Sequence, residues 1–352
     1  MLVQTTNIYR KSASDYDRLL SEGWFRGTGV LYRSELVCAH ETIYSVQHIR
    51  LPITAFKRKK HHEKIFRRNR AKFRIEIGEP DYDERREELY DFHRSRFLAF
   101  LHHRFLDLMR SSMHHGHFDT KEIRVFDGDK LIAISYFDHG IRAMASMMCI
   151  FDPEYAKYSL GTYTMLEEIE YGRNNRAEYY YPGYVLDQPS SFDYKLKLGD
   201  YEWMGKDRKW YSKEKLPHSK STGMMFREKS KELQLLLAMN GIEARFRIYP
   251  YFTLGFVMDE VEDLLKLPFL FIFNEEGHEM GASYDHNRRH FIVFRIKDNP
   301  DFLLSNHMLM SDDYLNGDAY DFSVFSISHC RKFDDFITEL KLLRSTGQHE
   351  SV

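Results

Sequence analysis

A chain of 352 residues with 43% hydrophobic and 15% aromatic residues can bury two or three ordinary cores, which excludes a disordered or disulfide-stapled miniature protein. The net charge of −2 argues against a uniformly basic nucleic-acid binder, and the three scattered cysteines, Cys38, Cys149 and Cys330, form neither a disulfide framework nor a zinc ribbon. The N-terminus is polar and the longest apolar run, residues 267–273, falls far short of the ~20 residues that span a bilayer. No membrane insertion or export is expected, and a reducing cytoplasm is the expected location.

In chain order, residues 14–22 have the spacing of a short amphipathic helix closed by Gly23, and residues 24–32 alternate as a strand. A second strand is expected over residues 48–56. Residues 57–74 read KRKKHHEKIFRRNRAKFR, with Glu63 the only acid. Such a block supplies the field that neutralises phosphates, or else a solvated face. GEPDYDE at residues 78–84 breaks the pattern, so a boundary is expected near residue 80. Residues 83–113 carry no Gly or Pro and place Leu89, Phe92, Phe97, Phe100, Leu101, Phe105, Leu108 and Met109 near the helical period, which predicts one long helix or a broken pair. His114, His115 and His117 follow in a turn, where adjacent imidazoles seldom converge on one ion and a solvated loop is expected.

Strands are expected at residues 122–126, 130–137 and 142–151, with turns at Asp127-Gly128 and Asp138-His139-Gly140. A helix over residues 162–173 puts Met165, Leu166 and Ile169 on one face, and a strand follows at 178–181. Residues 213–352 read as an appended α+β unit: a helix at 230–239, strands at 244–258, 269–273, 291–296 and 320–328, and a closing helix at 333–343. No catalytic motif stands out there.

The run FDPEYAKYSLGTYTMLEEIEYGR at residues 151–173, followed by YYYPGYVLDQPSSFDYK at 179–195, resembles the signature of the aminoacyl-tRNA–protein transferases, the arginyltransferases and their leucyl relatives, which reads DPxYxxxSLGxY…IE, then YxGY, then a late YK. A second block agrees in order: GWFRGTGVLYR (23–33) is similar to the family's GxRRSGxxxYRP, RLPITAF (50–56) to RIPVxxF, and RRN (67–69) to the RRN that closes the family's basic segment. The resemblance ends near Ser212. It implies an α+β fold with a GCN5-related N-acyltransferase-like core, divided as an N-terminal subdomain with the basic segment (1–80), a catalytic domain (81–212) and the appended α+β unit (213–352). It also implies transfer of an amino acid, arginine or otherwise leucine, from aminoacyl-tRNA to the N-terminal α-amine of proteins that begin with Asp or Glu, marking them for degradation.

That reaction asks for positioning and oxyanion stabilisation rather than a strong nucleophile, since an α-amine with a pKa near ~8 is partly neutral at neutral pH. No cofactor or metal is expected. Within the signature, Asp152, Tyr163 and Glu170 are the expected catalytic groups, with Asp152 or Glu170 orienting or deprotonating the incoming amine. Ser159, Leu160 and Gly161 open a helix whose free N–H groups face an anion, and Tyr155 stands beside them. Tyr180, Tyr181 and Tyr184 are expected to stack the terminal adenine of tRNA, next to Gly183, and Lys195 to meet phosphate. Lys60, Arg67, Arg68, Asn69 and Arg70 are expected to hold tRNA or the acidic acceptor. Two departures matter. The family's cysteine cluster is reduced to Cys38, with His40 and His48 as conceivable zinc partners, and its RSQRR is replaced by Lys60-His61-His62-Glu63-Lys64. An acetyl-CoA-dependent N-acetyltransferase is disfavoured because KYSLGTY offers a single Gly to a pyrophosphate. A non-catalytic tRNA- or degron-binding relative is the other alternative.

Overall fold

The computed structural model describes residues 2–7, 11–27, 30–39, 42–94, 101–102, 104–107, 109, 118–253, 266–298, 308–309 and 325–346. A small antiparallel sheet comes first, built from β1 (Val3–Asn7), β2 (Phe25–Arg26) and β3 (Val30–Ser34) in the order β1-β3-β2. Between its strands lies α1 (Ala13–Ser21), started by a capping box between Ser12 and Asp15 and burying Tyr16, Leu19 and Leu20. The hairpin of β4 (Leu36–Ala39) and β5 (Thr42–Pro52) follows.

The basic run forms α2 (Lys60–Lys72). His62, Phe66 and Asn69 recur at i, i+4 and i+7 as its one buried stripe, so the remaining cations face outward. Then come β6 (Arg74–Gly78) and α3 (Glu84–Arg94). Of the two readings of residues 83–113, the single long helix does not form and the broken pair agrees with the structure: α3 ends at Arg94, β7 (Leu101–His102) is extended and paired far along the chain with β19 (Met308–Leu309), and residues 105–107 and 109 are helical again. Leu89, Phe105 and Met109 do share one core cluster, with Tyr136 and Ile150, while Phe92 is exposed. The apolar spacing thus reports burial against a sheet rather than a single helix. Residues 114, 115 and 117 of the His-rich turn lie outside the described residues.

The main sheet takes β8 (Asp119–Asp127), β9 (Lys130–His139) and β10 (Ala143–Phe151), then α4 (Leu160–Asn174) and β11 (Tyr179–Tyr181). Strand, strand, helix, strand is the order expected for the N-acyltransferase core, and the fold is α+β. With β13 (Glu202–Met204) and β14 (Trp210–Ser212), the strand order is β14-β13-β5-β11-β10-β9-β8-β6. Strands from residues 1–80, β5 and β6, therefore bracket β8 to β11, so the sheet runs across the boundary expected near residue 80.

One register decides where the site can be. β10 and β11 run parallel and pair only at Ala143–Ala145 against Tyr179–Tyr181. Beyond Ala145 the register of β10 on β9 slips between Ser146 and Met148. On the other side Gly183, at φ 88°, turns the chain out of β11 into β12 (Tyr184–Leu186), which pairs with β5 instead. The two strands part, and the sheet opens a cleft in its middle.

The C-terminal unit is an antiparallel sheet of β15 (Arg245–Ile248), β16 (Phe269–Glu275), β17 (His278–Asp285), β18 (His290–Asp298) and β20 (Phe325–Lys332), with α5 (Thr222–Met239) and α6 (Phe333–Thr346). Helix α5 starts eight residues before the expected one because Ser221 caps it through the Met224 N–H, 3.1 Å. Strand β17 is a strand that the apolar pattern misses: Gly281 interrupts it, and the bare Cα lets the Phe294 ring lie across the strand. Among the described residues no helix is long and apolar enough to cross a membrane.

Candidate active site

The parting of β10 and β11 encloses a cavity of about 210 Å³. Ala145, Ser146 and Met147 form one wall and Tyr181 to Tyr184 the other, while Tyr16 of α1 and Phe25, Arg26 and Tyr32 of the small sheet close it from above. Among the described residues no Asp or Glu lines it. Lys195, on a 3₁₀ turn that follows β12, reaches in: its Nζ donates to the Tyr184 carbonyl at 3.1 Å and sits about 5 to 6 Å from the Phe192 and Tyr184 rings. Burial lowers its pKa to about 8, with no acidic neighbour to offset the loss of water. A side chain at Gly183 would stand 3.0 Å from that ammonium and crowd it, and the φ of 88° itself favours glycine.

Arg26 enters from the GWFRG segment and is held by Asp138 at 2.5 Å, a pair almost wholly buried. Thr120 donates to the same carboxylate oxygen at 2.6 Å and the Tyr16 hydroxyl to the other at 3.1 Å. On the far side of Ser146 stands Glu168 of α4, with 0% exposure. Its carboxylate accepts from Ser135 Oγ at 2.6 Å and from Tyr180 Oη at 2.7 Å, and burial raises its pKa to about 7 against the pull of these hydroxyls and that of Ser146.

A second pole of the site is the start of α4, about 10 Å and two helical turns from Glu168. Ser159 lies in the left-handed region (φ 57°, ψ 48°) and makes no side-chain cap, so no cap side chain takes the first-turn N–H groups, and a Cβ built on Gly161 would meet nothing within 4 Å. Helix α2 docks beside it. Arg68 and Asn69 donate to the Tyr158 carbonyl at 2.7 and 2.9 Å, and Phe66 meets the Tyr163 ring edge-on. Arg70 grips Glu167 bidentately at 2.8 and 2.7 Å, and Arg58 holds Glu170 at 2.6 Å. Arg67 pairs with Glu63, and Lys60 is exposed at the helix start.

The structure therefore brings Gly183, Tyr184 and Lys195 together at the cavity, and Ser159, Leu160, Gly161, Arg68 and Asn69 together at the helix start. It does not bring Asp152 to the cavity: its carboxylate caps the 3₁₀ turn after β10 through the Glu154 N–H at 2.9 Å and pairs with Lys130 at 2.8 Å. Tyr155 donates to Asp127 at 3.2 Å in the same corner. Tyr163 is wholly buried beside Glu167 and Arg70, its hydroxyl without a hydrogen bond, and Glu170 is occupied by Arg58 and Arg173. Tyr180, expected to stack a base, has no exposed ring face; its hydroxyl supports Glu168 instead, and Tyr181 is buried as well. Sequence reasoning missed Arg26, Ser146 and Glu168. The available signal was Glu168 itself, a carboxylate three residues after Met165 on the face marked apolar.

Cys38 is buried, with its thiol near the Pro268 carbonyl, and burial pushes its pKa up. It pairs with Ile43 across the hairpin, five residues and about 16 Å along β5 from His48, so these two side chains share no ion. His40 lies outside the described residues. Among the described residues no three His, Cys, Asp or Glu side chains gather as a metal site.

Residues 62–205 match the family model described as arginine-tRNA-protein transferase, C terminus. An aspartate/glutamate leucyltransferase of Vibrio vulnificus (strain YJ016) is 23% identical over 206 residues, 55% of this chain and 84% of that protein. Another, from Leptospira interrogans serogroup Icterohaemorrhagiae serovar copenhageni (strain Fiocruz L1-130), is 24% identical over 178 residues, 49% of this chain and 67% of that one. Among solved structures, FemX superposes with a TM-score of 0.34 at 11% identity, covering 55% of this chain and 65% of its own. L-PGS from Bacillus licheniformis gives 0.34 at 8%, covering 44% of this chain and about half of its own, 52%. The signature at 151–195, the N-terminal block and the match over residues 62–205 agree, and across these residues the chain is similar to the aminoacyl-tRNA–protein transferases.

Proposed function

We propose that this chain transfers an amino acid, arginine in the first instance and otherwise leucine, from charged tRNA to the N-terminal α-amine of proteins that begin with Asp or Glu, marking them for degradation. The observation that carries this reading is the cavity where β10 and β11 part: it is lined by Lys195 and by no carboxylate among the described residues, so it suits an acidic side chain beside a reactive amine. The open start of α4 and the outward cations of α2 supply N–H donors and positive charge for the phosphates of the tRNA terminus, one side of the parted strands from the acceptor. The ester would then lie between the strands, where backbone and hydroxyl donors meet the developing oxyanion.

Radiolabelled arginyl-tRNA and leucyl-tRNA, each incubated with the protein and peptides beginning with Asp, Glu, Ala or Lys, test the reading. Label transferred to the Asp and Glu peptides from one of the two tRNAs is the expected result. Equal transfer to the Lys peptide, or none to any peptide, overturns it.

A further inference from the structure

Glu168 is a charged residue in a place where charge is costly. It lies on the inner face of α4 with no exposure, and the polar groups that face it among the described residues are Ser135 of β9, Ser146 and Cys149 of β10, Tyr180 of β11, and Tyr194 of the 3₁₀ turn that carries Lys195. None is a cation. The other acids of α4 are neutralised, Glu167 by Arg70 and Glu170 by Arg58. A purely structural carboxylate at such a site is ordinarily paired, because an unpaired buried charge destabilises the fold. Glu168 is held by two hydroxyl donors, Ser135 and Tyr180, which leaves its proton free to come and go. A third hydroxyl, Ser146, bears on the carboxylate electrostatically from the cavity side and also lines the cavity.

We propose that Glu168 is the group that takes the proton from the acceptor's N-terminal ammonium, relayed through the Ser146 hydroxyl at the parting of β10 and β11. The proposal rests on the transfer reaction put forward above. In the step, the ammonium gives one proton to the Ser146 oxygen as Ser146 gives its own to the Glu168 carboxylate. The neutral amine then attacks the ester carbonyl and the C–N bond forms. As the C–O bond to the ribose breaks, the nitrogen loses a second proton, which the departing ribose oxygen takes up. The amide keeps the third, and Glu168 returns its proton to water. The raised pKa suits this task, since a base works best near the pH at which it operates.

Single-turnover transfer to an Asp peptide, followed across pH for the wild type and for Glu168→Gln, tests it. The wild type should lose rate below about pH 7 with the titration of one group, and Glu168→Gln should be slower by about 10² to 10³ and lack that limb. Ser146→Ala, which leaves the Ser135 and Tyr180 hydrogen bonds in place, should be slowed similarly with its melting temperature unchanged. Tyr180→Phe, which removes a donor that favours the charged form, should move the limb to higher pH. A folded Glu168→Gln protein with the wild-type rate and limb overturns the proposal. A wild type inert towards every peptide refutes the transfer reaction instead, and infrared difference spectra then decide for the carboxyl: a protonated-carboxyl band titrating near neutral pH and missing from Glu168→Gln supports it. A Glu168 that stays ionised down to about pH 5 overturns it.

Discussion

Asp152 is the sharpest point of disagreement between motif and geometry. Its place in the DPxY motif makes it a candidate base, yet six residues of extended chain, roughly 20 Å, separate it from Ser146 at the cavity. Its carboxylate is spent on the Glu154 N–H and on Lys130. Asn caps a turn about as well as Asp, so Asp152→Asn should lose only the ion pair; with Lys130 53% exposed, that amounts to about 0 to 1 kcal/mol. Asp152→Ala also loses the cap, a further ~1 kcal/mol. At about 2 to 4 °C per kcal/mol for a large domain, the alanine variant should melt about 2 to 8 °C lower and the asparagine variant at most about 4 °C lower. Single-turnover transfer per folded molecule, measured on the same preparations, should stay at the wild-type value in both. An Asp152→Asn protein that melts normally yet is slowed by about 10² or more would refute this reasoning and restore the catalytic role.

Lys195→Met should erase most of the preference for Asp and Glu over Ala peptides, lowering the ratio of kcat/KM values by about 10-fold or more, as removal of a charged hydrogen-bond partner does; an unchanged ratio would take Lys195 out of acceptor selection. Neutralising Lys60 and Lys64, which are exposed and uninvolved in the docking of α2, should weaken tRNA binding without changing the melt. The slope of log K against log salt should then fall by about 0.7 to 0.9 for each phosphate no longer neutralised. A salt slope identical to that of the wild type would count against α2 as the tRNA surface. Stability should also depend on Glu168 with a definite sign. Because its folded pKa of about 7 lies above the ordinary 4.5, the folded chain holds the proton between those values, so the stability from this group is fully present below about pH 4.5 and lost as pH rises through 7. The loss approaches about 3 kcal/mol. Denaturant melts of the wild type and Glu168→Gln at pH 5 and pH 8 should show the wild type falling behind at the higher pH; a constant difference would mean the carboxyl does not titrate there.

The strands β8, β9 and β10 were readable because turn residues at Asp127-Gly128 and Asp138-His139-Gly140 bound their apolar runs, and helix α4 because Met165, Leu166 and Ile169 share a face. The site was less so. Residues 151–173 are contiguous in sequence, but a strand end, a left-handed turn at Ser159 and two turns of helix distribute them, so Asp152 and Gly161 fall in one region and Glu168 in another. Tyr180 looked like a stacking platform because aromatic strand residues carry no mark of which face is buried. Glu168 escaped because a carboxylate on a helix is ordinarily solvated, and only the Ser135 and Tyr180 donors, contributed by two separate strands, explain its burial. Between one long helix and a broken pair after residue 83 the sequence could not choose, because burial against a sheet and burial along a helix can leave the same spacing of apolar residues.

Strand β5 carries more than its share of the molecule. Along eleven residues it pairs with β4, β11, β12 and β13, and opposite His48 it holds Tyr184 at the cavity wall. Its other load is α5: the Gly223 N–H donates to Ser45 Oγ, a side chain on Gly223 would collide with the β5 backbone, and Asp187 ties the Ser45 N–H, Ser221 and Arg227 together. The core beneath α5 is joint property, drawing Leu2, Val3, Leu36, Cys38 and Ile43 from one end of the chain and Phe226, Leu233 and Phe269 from the other. The segment without a catalytic motif is therefore a keel rather than a passenger: cut the chain after Ser212, and the strand that frames the acceptor cavity loses its ballast along with the apolar surface that would then face water.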